Sequence, residues 1–182
     1  QPEQDFIVEI GEGIERRGNK FYAKIEGIPQ IDANQIRLKN LLIHPGDVNL
    51  RSGDIRFSGS VEIQGSIEAG ATVETDGDLI VRGQIVSANV RVSGNLKVDS
   101  GIVTGERHSV FVKGNLFTDY IENSEIICTG NVTVQRAILN SRTYIGGKLK
   151  IVSPNGVCAG GSISCKSDII CQNLGFKHGN ST

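Results

Sequence analysis

One pattern limits this chain more than any other: a glycine, a small polar residue and an apolar–x–apolar pair, returning at nearly regular intervals. It reads Gly59-Ser-Val-Glu-Ile, Gly77-Asp-Leu-Ile-Val, Gly94-Asn-Leu-Lys-Val and Gly114-Asn-Leu-Phe-Thr. It continues as Gly130-Asn-Val-Thr-Val, Gly147-Lys-Leu-Lys-Ile and Gly161-Ser-Ile-Ser-Cys. Successive glycines lie 18, 17, 20, 16, 17 and 14 residues apart. Seven instances in register describe a solenoid whose coils stack to bury what one coil cannot.

Each repeat holds a second alternating segment before the next glycine: Val73/Thr75, Val90/Val92, Val110/Val112, Ile126/Cys128 and Thr143/Ile145. Midway stands one more apolar position, Ile67, Ile85, Ile102 and Ile138. Alternation with period two puts each pair on one side of a strand, here the inside. Three short strands per coil predict a triangular, all-β, right-handed parallel β-helix of about 17 residues per coil. The strict six-residue rhythm of left-handed hexapeptide helices is absent. Coils about 4.8 Å apart make a rod of roughly 35–40 Å. The glycines are expected to turn corners at positive φ. The column after them (Ser60, Asp78, Asn95, Asn115, Asn131, Lys148, Ser162) reads either as a side-chain amide ladder or as turn chemistry.

Residues 46–175 are assigned to the β-helix and 1–45 to a small N-terminal β-rich cap. The cap contains the alternating runs Lys20-Phe-Tyr-Ala-Lys-Ile and Gln35-Ile-Arg-Leu-Lys. Residues 176–182 read as a polar or disordered tail. The chain contains no methionine, so it is expected to be a piece of a longer protein.

Composition argues against most chemistries. A formal charge of −1 supplies no basic field for nucleic acid. The charge is graded, with a net of −5 over residues 1–90 and +4 over 91–182. No apolar run is long enough to cross a membrane as a helix, so no direct membrane insertion is expected. Cys128, Cys158, Cys165 and Cys171 show neither CxxC nor Cys/His spacing and read as small core residues. Carbohydrate-cleaving β-helices need clustered carboxylates. The nearest pair here, Asp76 and Asp78, falls at a repeat corner. His108 aligns with Ala71, Ala88, Ser124 and Ser141 and reads as a corner residue, while His44 and His178 stand apart. No phosphate loop or nucleophile elbow occurs. The expectation is a protein without catalytic residues, metal, cofactor or small-molecule substrate.

What remains is an outward column three residues before each glycine: Glu74, Arg91, Phe111, Ile127, Tyr144, Cys158. It turns from charged to apolar at Phe111, and Phe117 adds an outward aromatic on the neighbouring strand. Phe111, Phe117, Ile127 and Tyr144 are therefore the candidate partner-binding residues. Either a protein partner or a second copy docks there, or the cap or a further segment of the longer protein folds over it.

The stretch Gly46-Asp-Val-Asn-Leu-Arg-Ser-Gly-Asp-Ile-Arg-Phe-Ser-Gly-Ser-Val-Glu-Ile-Gln-Gly65 resembles the signature of the flagellar assembly protein A family. Gly77-Asp-Leu-Ile-Val-Arg-Gly83, Ile121-Glu-Asn-Ser and Ala137-Ile-Leu-Asn-Ser extend that resemblance over roughly residues 13–175. It implies a bacterial cytoplasmic protein, at the cell pole in one version. It also implies a non-enzymatic scaffold role in flagellar assembly or polar placement, acting through protein partners. Ala69–Gly83 is also similar to the β-helical half of the division inhibitor MinC, and bactofilins share the architecture while polymerising end to end. A self-assembling or division-regulating module is the alternative.

Overall fold

In the computed structural model, which describes residues 9–10, 13–24, 28–32 and 35–175, every regular element is a strand. The expected tail at 176–182 and parts of the expected cap lie outside the described residues. The chain divides into two compact units, Gln1–Leu42 and Ile43–Thr182.

The first unit holds two antiparallel hairpins: Ile14–Arg17 with Lys20–Ala23, and Ile28–Asp32 with Gln35–Lys39. Glu9–Ile10 pairs in parallel with Gln35 and Ile36. Gly18, at φ +62°, makes the turn of the first hairpin. Across that hairpin Arg16 covers the ring of Phe21 at 5.8 Å.

The second unit is a parallel β-solenoid with three faces. Face I follows the glycines, and its inward column runs Val61, Leu79, Leu96, Leu116, Val132, Leu149, Ile169. Face II carries Val48, Ile67, Ile85, Ile102, Ile121, Ile138, Cys158 and Leu174, one from each of eight coils. Face III carries Ile55, Val73, Val90, Val110, Ile126, Thr143 and Ile163. The five isoleucines from Ile67 to Ile138 are all at 0% exposure. Each contributes about 1.5–3 kcal/mol by leaving water. Like stacks on like because parallel strands in register set identical positions one above another.

The register differs from the expected one in its last coil. Gly161 is not a member of the glycine column: it pairs with Ser141, so Gly161–Cys165 belongs to face III. Leu149 pairs with Ile169, which leaves Ser167 as the residue that follows Gly147 in the column. The turn Ser153–Gly156, closed by a 2.8 Å bond from Gly156 N to Ser153 O, lengthens this coil.

The corner glycines also work differently from expectation. Gly59, Gly77, Gly94, Gly114, Gly130 and Gly147 are absent from the positive-φ residues. They are glycines because the coils touch there: a Cβ on Gly77 would lie 2.6 Å from the carbonyl carbon of Gly59. Positive φ belongs to another corner, between faces II and III, at Gly70, Ser87, Gly105, Asn123, Asn140 and Gly160. Hydrogen bonds join neighbours of that column, such as Gly105 N to Asn123 O at 2.8 Å.

The column after the glycines is a ladder. Asp78 Oδ1 accepts from Asn95 N at 2.8 Å, and Asn95 Oδ1 accepts from Asn115 N at 2.9 Å. Asn115 Oδ1 accepts from Asn131 N at 2.9 Å, and Asn131 Oδ1 accepts from Lys148 N at 2.8 Å. The amide groups of Asn95 and Asn115 donate down the same column at 3.2 and 3.1 Å. Each side chain thus satisfies a backbone N–H that the corner turns out of the sheet.

One core group is left over. Thr143 Oγ1 is buried without a partner, in a column otherwise built of Ile and Val. Replacing the hydroxyl with a methyl removes that penalty, so Thr143→Val should stabilise by about 1 kcal/mol. Urea unfolding would register this as a higher midpoint with unchanged slope; a lower midpoint would mean the hydroxyl has an acceptor.

Candidate functional site

Face III turns its second set of side chains outward. Pairings at consecutive levels run Arg56–Glu74, Glu74–Arg91, Arg91–Phe111, Phe111–Ile127, Ile127–Tyr144 and Tyr144–Ser164. The structure therefore brings Phe111, Ile127 and Tyr144 together as three adjacent rungs of one stripe. It does not bring Cys158 there. Cys158 is 5% exposed and lies inward on face II beside Ile138, because the shifted register of the last coil gives the outward position to Ser164. Phe117, 45% exposed, points outward from face I between Lys97 and Thr133, on the other side of the glycine corner.

The stripe has a charged end and an apolar end. Arg56 and Glu74 approach to 3.5 Å, and the Arg91 guanidinium sits 5.4 Å from the centre of the Phe111 ring. That contact covers one side of Phe111, and neighbouring rungs half-bury Ile127. Tyr144 remains 49% exposed. Along one flank run Ser109, Glu125, Arg142 and Ser162. Along the other run Lys113, Thr129, Gly146 and Lys166, each donating its N–H to the preceding coil. Lys113 and Lys166 are exposed, and among the described residues neither makes an ion pair.

The reactive side chains have structural surroundings. Asp78 belongs to the amide ladder, and His108 Nδ1 lies 3.2 Å from Thr104 O. Thr104, fully buried, fills the corner that sequence alignment gave to His108, and its N–H reaches Ser124 Oγ at 2.9 Å. The signal for this was the three-residue excess of that coil, at Gly105–Arg107. Among the described residues no group of three or more His, Cys, Asp or Glu side chains could hold a metal ion. No helix is long and apolar enough to cross a membrane among them.

All four cysteines are free thiols. Burial pushes the Cys128 thiol up, and burial, then the nearby Cys171, pushes Cys158 up to about 11. Folding thus favours the protonated form of Cys158. Its contribution to stability is complete below the ordinary thiol value of about 8.5 and is lost as pH rises through the folded value. With iodoacetamide at pH 8, the half-buried Cys165 and Cys171 are expected to be alkylated roughly tenfold faster than the buried Cys128 and Cys158, because the reagent must reach the sulfur. Equal rates at all four by peptide mass spectrometry would contradict the burial described here.

Residues 40–182 match the family model described as the beta solenoid domain of Flagellar Assembly Protein A. No curated protein and no solved structure matches the chain.

Proposed function

Since the chain belongs to the Flagellar Assembly Protein A family, whose solenoid domain takes in residues 40–182, we propose that it is a non-catalytic scaffold serving flagellar assembly or its polar placement. It acts in the bacterial cytoplasm by docking a protein partner on face III. The observation that carries this reading is the stripe Phe111–Ile127–Tyr144. Three apolar side chains on consecutive rungs form one patch, on a rod whose recurring residues otherwise serve packing. Phe111 and Ile127 are half-buried and Tyr144 is exposed, and contiguous apolar surface of this kind marks contact area more often than chance. Family membership supplies the flagellar setting, and the stripe supplies the means.

The double variant Phe111→Glu with Tyr144→Glu tests it. Both side chains point outward, so the fold should survive, as circular dichroism would report. Two buried or half-buried aromatic contacts at the centre of an interface are worth about 2 kcal/mol each. Partner capture by the natural full-length chain should fall at least thirtyfold, and flagellation of the host should fall to that of a deletion strain. Normal flagellation with unchanged capture would sink the reading. A drop in mass by light scattering would assign the stripe to a second copy instead.

A further inference from the structure

The spacing of the stripe says what shape of partner fits it. Adjacent rungs of a parallel solenoid repeat every ~4.8 Å, so Phe111 and Tyr144 stand about 9.6 Å apart with Ile127 between them. An α-helix laid along the rod offers residues i, i+3 or i+4 and i+7 on one side, at rises of about 4.5–6 and 10.5 Å. An extended strand in the same direction offers same-side residues every ~6.7 Å, so its third falls about 4 Å past Tyr144. A strand laid across the rod meets one rung only. Helix turns and solenoid rungs are nearly commensurate; strands and rungs are not.

The flank adds charge. Lys113 and Lys166 lie on one side of the stripe, two residues on from Phe111 and Ser164 and just past the strand ends at Val112 and Cys165, hence within about 7 Å of its midline. Neither is neutralised by a neighbour among the described residues. They are three rungs apart, ~14.4 Å, which is the rise of about ten helical residues.

Resting on the docking reading above, we propose that the occupant of face III is an amphipathic α-helix. It lies along the solenoid axis, with apolar residues at i, i+3 or i+4 and i+7 on Phe111, Ile127 and Tyr144. Acidic residues about three turns apart on one flank meet Lys113 and Lys166. This is helix-in-groove recognition transferred to a flat parallel sheet, where the rung repeat replaces the groove as the ruler.

A photoreactive benzophenone side chain placed at position 111, 127 or 144 of the natural full-length chain, in its own host cell, reads the geometry directly. The expected result is cross-links from the three positions to one segment of one partner, at sites displaced by three or four residues per rung. Sites displaced by two residues, or scattered over separate segments, overturn the helix while leaving the docking reading in place. Cross-links only to this chain itself, or none from any of the three positions, overturn the docking reading and the helix with it. Charge is tested by Lys113→Glu with Lys166→Glu, which should lower the cross-link yield from position 127 at least fivefold. Lys113→Arg with Lys166→Arg should preserve that yield. Equal yields from the two double variants would overturn the acidic flank.

Discussion

Gly77→Ala is expected to cost about 3 kcal/mol, far more than one methyl group costs on most protein surfaces. The added Cβ would stand 2.6 Å from the carbonyl carbon of Gly59 and from Ser60 Oγ, and 2.7 Å from Gly59 O. Two of these three atoms are backbone. They cannot retreat without stretching the 2.8 Å bond from Gly77 N to Gly59 O, which holds the coils together. For a domain of this size the melting temperature should fall by about 6–12 °C. Gly114→Ala should behave alike, since its Cβ meets Gly94 O at 2.5 Å. Gly105→Ala is the informative contrast: nothing lies within 4 Å, and only its φ of +71° resists, a strain of about 1 kcal/mol. If Gly105→Ala proved as costly as Gly77→Ala, close approach would not be what the corner glycines are for.

Ile102→Ala should cost about 3–4 kcal/mol and change the form of unfolding as well as its midpoint. Ile102 is fully buried between Ile85 and Ile121, near the middle of the face II column. Coils touch only their neighbours, so a cavity at mid-height weakens the one interface that couples the two halves. Urea melts followed by far-ultraviolet circular dichroism should broaden, with an apparent slope below that of the parent chain. A loss under 1 kcal/mol with the slope preserved would mean that neighbouring coils collapse into the gap.

Both predictions rest on columns that could be read in the sequence, and their errors are instructive. From Gly59 to Gly147 the strands keep their order, so counting back three from each glycine places Phe111, Ile127 and Tyr144 on the outside, although counting back six puts His108 at the corner that Thr104 fills. Counting fails at Gly161. Its Ser-Ile-Ser-Cys sequel imitates the motif because every strand of a solenoid alternates, whichever face it builds. The extra turn Ser153–Gly156 and the serine at 167 mask the true register, so counting puts Cys158 outside whereas it lies inside beside Ile138. Inter-coil hydrogen bonds decide such cases, and they leave no local trace. The left-handed corner was written in plainer terms: Asn123-Ser124, Asn140-Ser141, Ser87-Ala88 and Gly70-Ala71 each join a residue at positive φ to a small one. Asn tolerates that geometry and the small successor fits the angle. Phe117 faces outward as expected, yet the corner at Gly114 turns it onto another face, a separation that spacing along one strand cannot express.

Because each coil pairs with the coils above and below it, the solenoid unit is divisible in a way a globular domain is not. Inserting one whole coil would lengthen the rod by ~4.8 Å and leave every other neighbour relation intact. Shorter additions are absorbed at corners, as at Gly105–Arg107 and Ser153–Gly156, and leave the rungs in phase. The length of face III is therefore a quantity that changes in whole units, each bringing two inward side chains for stability, such as Val110 and Val112, and between them an outward one for contact. A surface of that kind can be extended to match a longer partner by duplication alone, with no new packing problem to solve.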